Sequence, residues 1–311
     1  MRTWIANTVV AACYLLGSAA TTTAHAADTY TQTRYPVVLV HGLFGFDAIG
    51  PIDYWYGIAP ALRAGGATVF VSQQSAANSS EVRGEQLLAE LRRLKATYGY
   101  TKFNLVGHSH GGHTIRYVAS VAPDLVASAT SMGSPHSGSA VADDIVAGLD
   151  GTGSTPVAAA IINAFGTIIS VLSGNPGLPQ NSEAAARSLT TAGSAAFTNR
   201  FPAGKPATTC GQGAASVNNV RYYSAGGTSV LTNILDPIDA ALVLTSASFK
   251  GAANDGLVGR CASHWGTVLR DDYSWNHLDE VNQSFGLRGL FTSDPVAFYR
   301  THANRLKTAG L

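Results

Sequence analysis

Apolar positions along the chain fall into two patterns, short continuous runs and longer stripes spaced three and four residues apart. Tyr35-Pro36-Val37-Val38-Leu39-Val40 is a β-branched run that stops at His41-Gly42, as a strand buried on both faces would. Ala67 to Val71 and Lys102 to Val106 repeat the pattern, and Leu125 to Met132 ends the same way at Gly133. After the second run, Leu87, Leu91, Leu94 and Tyr98 share one helical stripe, with Asn78 as the expected cap and Glu81 three residues on. His113 to Val121 reads as the helix after the third run. Strands and helices alternating in this way predict an α/β fold with a mostly parallel sheet covered on both faces.

Beyond residue 140 the alternation breaks, and no charged residue stands between Gly151 and Ser182. Thr155-Pro156 is a cap and first-turn pair that opens the apolar segment Val157 to Leu172, which ends before Gly174. A membrane span is too long for this segment and is interrupted by Asn163, Gly166, Thr167 and Ser170. A buried core helix and a mobile helix covering an apolar cleft both fit it. Gly193 to Gly227 reads as loops around one strand, Val220 to Ser224, and the last stretch, with His302, as an amphipathic helix.

Only 13% of the 311 residues are charged against 46% hydrophobic, about half the usual charged share. That excludes a disordered chain. Twenty Lys and Arg against 19 Asp and Glu, with no basic run, leave no electrostatic footprint for nucleic acid. Arg2, the apolar run Trp4 to Ala20 and the small residues Ala24 and Ala26 form a signal-peptide pattern over residues 1–26, so the expected mature domain is 27–311, secreted to the cell exterior. Removing that segment takes Cys13 with it and leaves Cys210 and Cys261, which in an oxidising compartment predicts one disulfide.

The chemistry is expected on the turn Gly107-His108-Ser109-His110-Gly111, a G-x-S-x-G motif between a strand and a helix. Small residues two before and two after the serine permit a strained turn that exposes its hydroxyl at the end of the sheet. A serine hydroxyl needs a base to take its proton and an acid to orient that base, in the chain order Ser, acid, His. Asp236, Asp239, Asp255 and Asp279 are the downstream acids near turns, and spacing leaves His264 and His277 both open as the base. His302, within the terminal helix, suits the role least. Attack on a carbonyl also requires backbone donors for the oxyanion, and the N–H groups of Leu43 and His110 stand where such donors fall.

Four blocks occur in order: Val40-His41-Gly42-Leu43, Gly107 to Gly112, Asn254-Asp255-Gly256-Leu257-Val258, and Asn276-His277-Leu278-Asp279-Glu280-Val281-Asn282-Gln283. With Asp53 to Gly57 and Arg83 to Leu88, they closely resemble the secreted Pseudomonas/Burkholderia-type triacylglycerol lipases, from about Thr29 onward. The resemblance implies an α/β-hydrolase fold with a helical lid near 150–175, and Ser109, Asp255 and His277 as the triad. It also implies one structural Ca²⁺, held by the carboxylates of Asp236 and Asp279 and the carbonyls of Gln283 and Leu287. The Cys210–Cys261 pair falls where such lipases have a disulfide. Many of these lipases depend on a membrane-anchored foldase chaperone. The expected substrate is a fatty-acyl ester at a lipid–water interface; the alternative is a carboxylesterase for soluble short-chain esters on the same machinery.

Overall fold

Strand β1 (Val37–Val40) is buried along its whole length and alternates its side chains between two cores. Val37 and Leu39 enter one core, Val38 and Val40 the other. This computed structural model describes residues 28–45, 48–49, 52–151 and 178–311. The short antiparallel pair β2 (Ala48–Ile49) and β3 (Ile52–Asp53) follows β1 and lies apart from the main sheet. The main sheet continues with β4 (Val69–Ser72), β5 (Phe103–His108), β6 (Val126–Met132), β7 (Ser216–Val217), β8 (Val220–Gly227) and β9 (Thr267–Tyr273). Its order is β4-β1-β5-β6-β8-β7, with β9 also on β8, and every pairing except β7–β8 is parallel. A buried parallel sheet needs helices on both faces. Helices α1 (Ile58–Ala64), α7 (Pro237–Ser246) and α8 (Pro295–Thr308) cover one face, and α2 (Ser80–Tyr98) and α3 (His110–Val121) the other.

The sequence reading holds for the first four strands and is corrected around the helices. Ser79, not Asn78, caps α2: its hydroxyl accepts the Val82 N–H (3.3 Å), whereas Asn78 accepts from the Ser79 amide and donates to the Pro179 carbonyl. Leu87, Leu91 and Leu94 are buried as expected, but Tyr98 is 57% exposed and packs beside Phe70 and Tyr100. Helix α3 starts three residues earlier than the apolar pattern indicates, because Ser109 itself occupies the cap position. The expected loops after Gly193 begin inside a helix, α6 (Thr191–Arg200), which follows α5 (Ser182–Leu189) and is capped by the Thr190 hydroxyl on the Gly193 amide. Helix α4 (Ala140–Leu149) packs with α5, burying Val141, Ile145 and Ala186 in a small cluster beside Leu257.

Cys210 and Cys261 form the expected disulfide, closing a span of 51 residues. The expected signal segment, 1–26, lies outside the described residues, as does nearly all of the expected lid. Among the described residues, no helix is long and apolar enough to cross a membrane.

Candidate active site

The turn from β5 into α3 forces Ser109 into φ 55°, ψ −125°, a conformation costing about 1–3 kcal/mol that persists only where its surroundings over-determine it. Two features do so. A Cβ at Gly107 would collide with the Gly111 backbone, and one at Gly111 with the carbonyls of Val40 and His41, so only glycine admits the sharp turn. The Ser109 N–H also donates to the Met132 carbonyl at the end of β6 (2.9 Å), tying the turn to the next strand. The serine therefore stands at the carboxyl ends of β5 and β6, over a cleft of about 680 Å³ counted with its open mouth.

His277 lines the same cleft, as do Leu43, His108, Leu257 and Tyr54. Of the acids that spacing left open, Asp255 is the one that meets it: Asp255 Oδ2 accepts from His277 Nδ1 at 2.8 Å. Asp255 Oδ1 accepts the N–H groups of Leu257 (2.8 Å) and Val258 (2.6 Å), and the His277 N–H donates back to the Asp255 carbonyl (2.9 Å). With both carboxylate oxygens engaged, the proton of the imidazole is held on Nδ1 and Nε2 is left with its lone pair. His264 is committed elsewhere, with Nε2 2.8 Å from Asp271 and Nδ1 on the Gly211 carbonyl. His302 donates from Nε2 to Thr130 (2.8 Å), and burial lowers its pKa to about 3. Both act as braces.

The loop after β1 is held by groups that the motifs contain but do not announce. Arg83, fully buried, donates to the carbonyls of His41 (2.6 Å) and Ser75, and burial draws its pKa down to about 10. His41 Nδ1 donates to the Gly42 carbonyl, and its Nε2 accepts the Gln74 N–H. The His110 imidazole meets the Ser80 hydroxyl at 2.9 Å, so these two imidazoles support loops, while Leu43 lines the cleft with Ser109 and His110 follows Ser109 as the first residue of α3. Against the His277 ring lies His108, at 4.5 Å between centroids. Burial first, and the nearby His277 second, hold His108 well below the usual imidazole range, so it is neutral.

Behind His277 is a knot of carboxylates. Asp236 caps α7 and accepts the Ile238 N–H. Asp239 accepts from the amides of Thr232 and Asn233 and from the Asn276 side chain. Asp279 accepts the Asn276 N–H. All three are buried, and among the described residues none has a basic side chain within ion-pair distance. Burial first, and the neighbouring acids after it, push the Asp279 carboxyl up to about 7; burial raises that of Asp236 as well. Uncompensated buried carboxylates suit a hard divalent cation. Gln283 is buried beside them, its amide donating to the carbonyls of Asp53 and Tyr54 while its own carbonyl accepts the Gly286 N–H; Leu287 is exposed.

Comparison with known proteins is consistent over nearly the whole chain. A family described as alpha/beta hydrolase fold matches residues 35–278. A triacylglycerol lipase of Vibrio cholerae is 54% identical over 294 residues, spanning 93% of this chain and 94% of that protein. One from Pseudomonas fragi is 46% identical, spanning 91% of this chain and all of the other, and one from Burkholderia plantarii is 45% identical over 95% and 92%. Among solved structures, the mature form of a Bacillus licheniformis lipase superposes with a TM-score of 0.60 at 18% identity, covering 88% of this chain and 92% of that one, a likeness of fold.

Proposed function

Because this chain belongs to the alpha/beta hydrolase family and shares 45–54% of its residues with proteins named triacylglycerol lipase, we propose that it hydrolyses fatty-acyl esters of glycerol through Ser109, His277 and Asp255. One observation carries the proposal: a serine on a strained strand-to-helix turn opens into the same cleft as a histidine whose far nitrogen is fixed by a buried aspartate. In the first step His277 Nε2 takes the Ser109 proton while Oγ adds to the ester carbonyl. The oxyanion so formed receives the N–H groups of Leu43 and His110, and each such donor is worth about 3 kcal/mol in the transition state. Collapse expels the glyceride alkoxide, which takes the proton from His277. Water then attacks the acyl-enzyme with His277 again as base, releasing the fatty acid and regenerating Ser109.

The apolar cleft walls, Val141, Ile145, Leu189 and Leu257 among them, fit acyl chains. Around Leu231, Ile234, Leu235, Leu290 and Phe291 the surface is strongly apolar, with Leu290 95% and Phe291 100% exposed, which supports work at a lipid surface. Export is proposed from the pattern of residues 1–26 alone. Calcium is proposed at Asp236 and Asp279, with the carbonyls of Gln283 and Leu287 as further ligands. Bound there it would neutralise the buried acids and stiffen the loop from Asn276 to Gln283 that carries His277.

The test is hydrolysis of emulsified long-chain triglyceride by the wild type and by Ser109→Ala. The wild type should be active, with a rate that rises above the substrate's solubility limit, and the variant should lose at least about 10⁴-fold. Equal rates in the two would refute the catalytic assignment. Activity confined to dissolved short-chain esters would replace the lipase by a carboxylesterase.

A further inference from the structure

A buried string of polar atoms runs from the loop carrying Leu43 to the loop carrying His277, and the steps above use none of its side chains. The Gly42 N–H donates to the Tyr54 hydroxyl oxygen at 3.0 Å. That oxygen stands 2.5 Å from His108 Nδ1. His108 Nε2 and Glu280 Oε2 then face each other at 3.2 Å, both fully buried. Glu280 Oε1 accepts the Gly227 N–H at 2.7 Å, and Oε2 lies 3.9 Å from His277 Nδ1. Tyr54, His108 and Glu280 are at most 2% exposed.

The protons of the string can be arranged in two ways. Tyr54 donates its O–H to His108 Nδ1 while His108 Nε2–H points at the Glu280 carboxylate. Alternatively, a Glu280 carboxyl proton points at His108 Nε2 while His108 Nδ1–H donates to Tyr54. In both, the Tyr54 oxygen keeps a lone pair for the Gly42 N–H. The loop it holds is closely packed: a Cβ on Gly42 would lie 2.7 Å from Ser109 Cβ and 2.8 Å from the Tyr54 oxygen. Arg83 holds the same loop from the other side, at the His41 carbonyl.

We propose that Tyr54 is a positioning residue for ester hydrolysis: its hydroxyl anchors the Gly42 N–H and, through the Gly42 Cα, steadies the next peptide so that the Leu43 N–H points at the oxyanion, while His108 and Glu280 keep that hydroxyl in place. The inference rests on the reading of Ser109 as nucleophile and Leu43 as oxyanion donor. An oxyanion forms only after attack, so a slack donor lowers turnover and leaves substrate binding intact.

The experiment compares the wild type with Tyr54→Phe on a soluble p-nitrophenyl ester and measures inhibition by an alkyl boronic acid, which forms a tetrahedral adduct on a serine oxygen. In Tyr54→Phe, kcat should fall about tenfold with KM within about twofold, and the boronic acid Ki should rise about tenfold. An unchanged kcat, a fall in kcat with Ki unchanged, or a rise in KM alone would overturn the proposal; the last would make Tyr54 only a wall of the cleft. Should Tyr54→Phe fail to fold, Glu280→Gln reads the other end of the string while keeping the Gly227 hydrogen bond. There kcat and Ki should move together by about threefold, and an unmoved Ki contradicts the proposal. Failure of the underlying reading is recognised separately, by full activity in Ser109→Ala or by a wild type that the boronic acid does not inhibit.

Discussion

Withholding calcium should make this protein lose stability as pH rises, and Asp279 sets the size of the loss. Burial pushes its carboxyl from 3.8 up to about 7, with Asp239 and Asp236 adding to the rise. Between those values the ion-free native state holds a proton that the unfolded chain has already released. Unfolding free energy therefore falls with pH across that window and levels off above it. A rise of about three units, at about 1.4 kcal/mol each, caps the loss near 4 kcal/mol. At the proposed site calcium would pair with the ionised form, so its affinity should climb by up to about tenfold per pH unit over the same range. Urea unfolding followed by tryptophan fluorescence, with saturating calcium and with none, measures both effects at a series of values from about pH 5 to 8. The two stability curves should diverge as pH rises. Curves that run parallel, or that converge towards neutrality, would refute both the burial argument and the assignment of the ion to these carboxylates.

Three further outcomes follow from packing. Leu105 lies wholly buried in β5, so Leu105→Ala should cost about 2–5 kcal/mol in urea unfolding. Replacing Cys210 and Cys261 by serine opens a 51-residue span and should cost about 4 kcal/mol, seen as a lower Tm, with kcat unchanged at temperatures where the variant is folded. Gly111→Ala forces the turn away from the Val40 carbonyl and displaces Ser109, so kcat on a soluble ester should fall by about 10²-fold or more.

How much of this was legible in the amino-acid sequence follows from where each signal resides. β1, β5 and β6 are buried on both faces, so their apolar runs are nearly unbroken and readable without the fold. β9 was not anticipated: Thr267-Val268-Leu269-Arg270-Asp271-Asp272-Tyr273 carries three charges and lies half-buried on β8, a strand more than forty residues earlier whose partnership no local pattern records. Helix α6 is equally hidden, since its glycine and polar residues are poor helix formers; it is held by the Thr190 cap and by Phe197 stacked on His113 at 4.9 Å. Within the site, the glycines around Ser109 announced the turn through its steric demand. The choice of His277 over His264 required the resemblance, because the Asp255–His277 hydrogen bond exists only after the chain has folded. Tyr54, His108, Glu280 and Arg83 were visible as members of motif blocks, without roles. Their meaning comes from atoms that converge from β5, the turn after β3, α2 and the loop after β9, and convergence of that kind has no spacing rule.

The central claim is that a base fixed by Asp255 makes one serine nucleophilic. Incubation with a p-nitrophenyl alkylphosphonate, followed by peptide mass spectrometry, tests it most directly. The wild type should gain one phosphonyl group, on Ser109, with release of one equivalent of nitrophenol, and His277→Ala should react at least about 10³-fold more slowly. Labelling at a different residue, or an undiminished rate in His277→Ala, would contradict it.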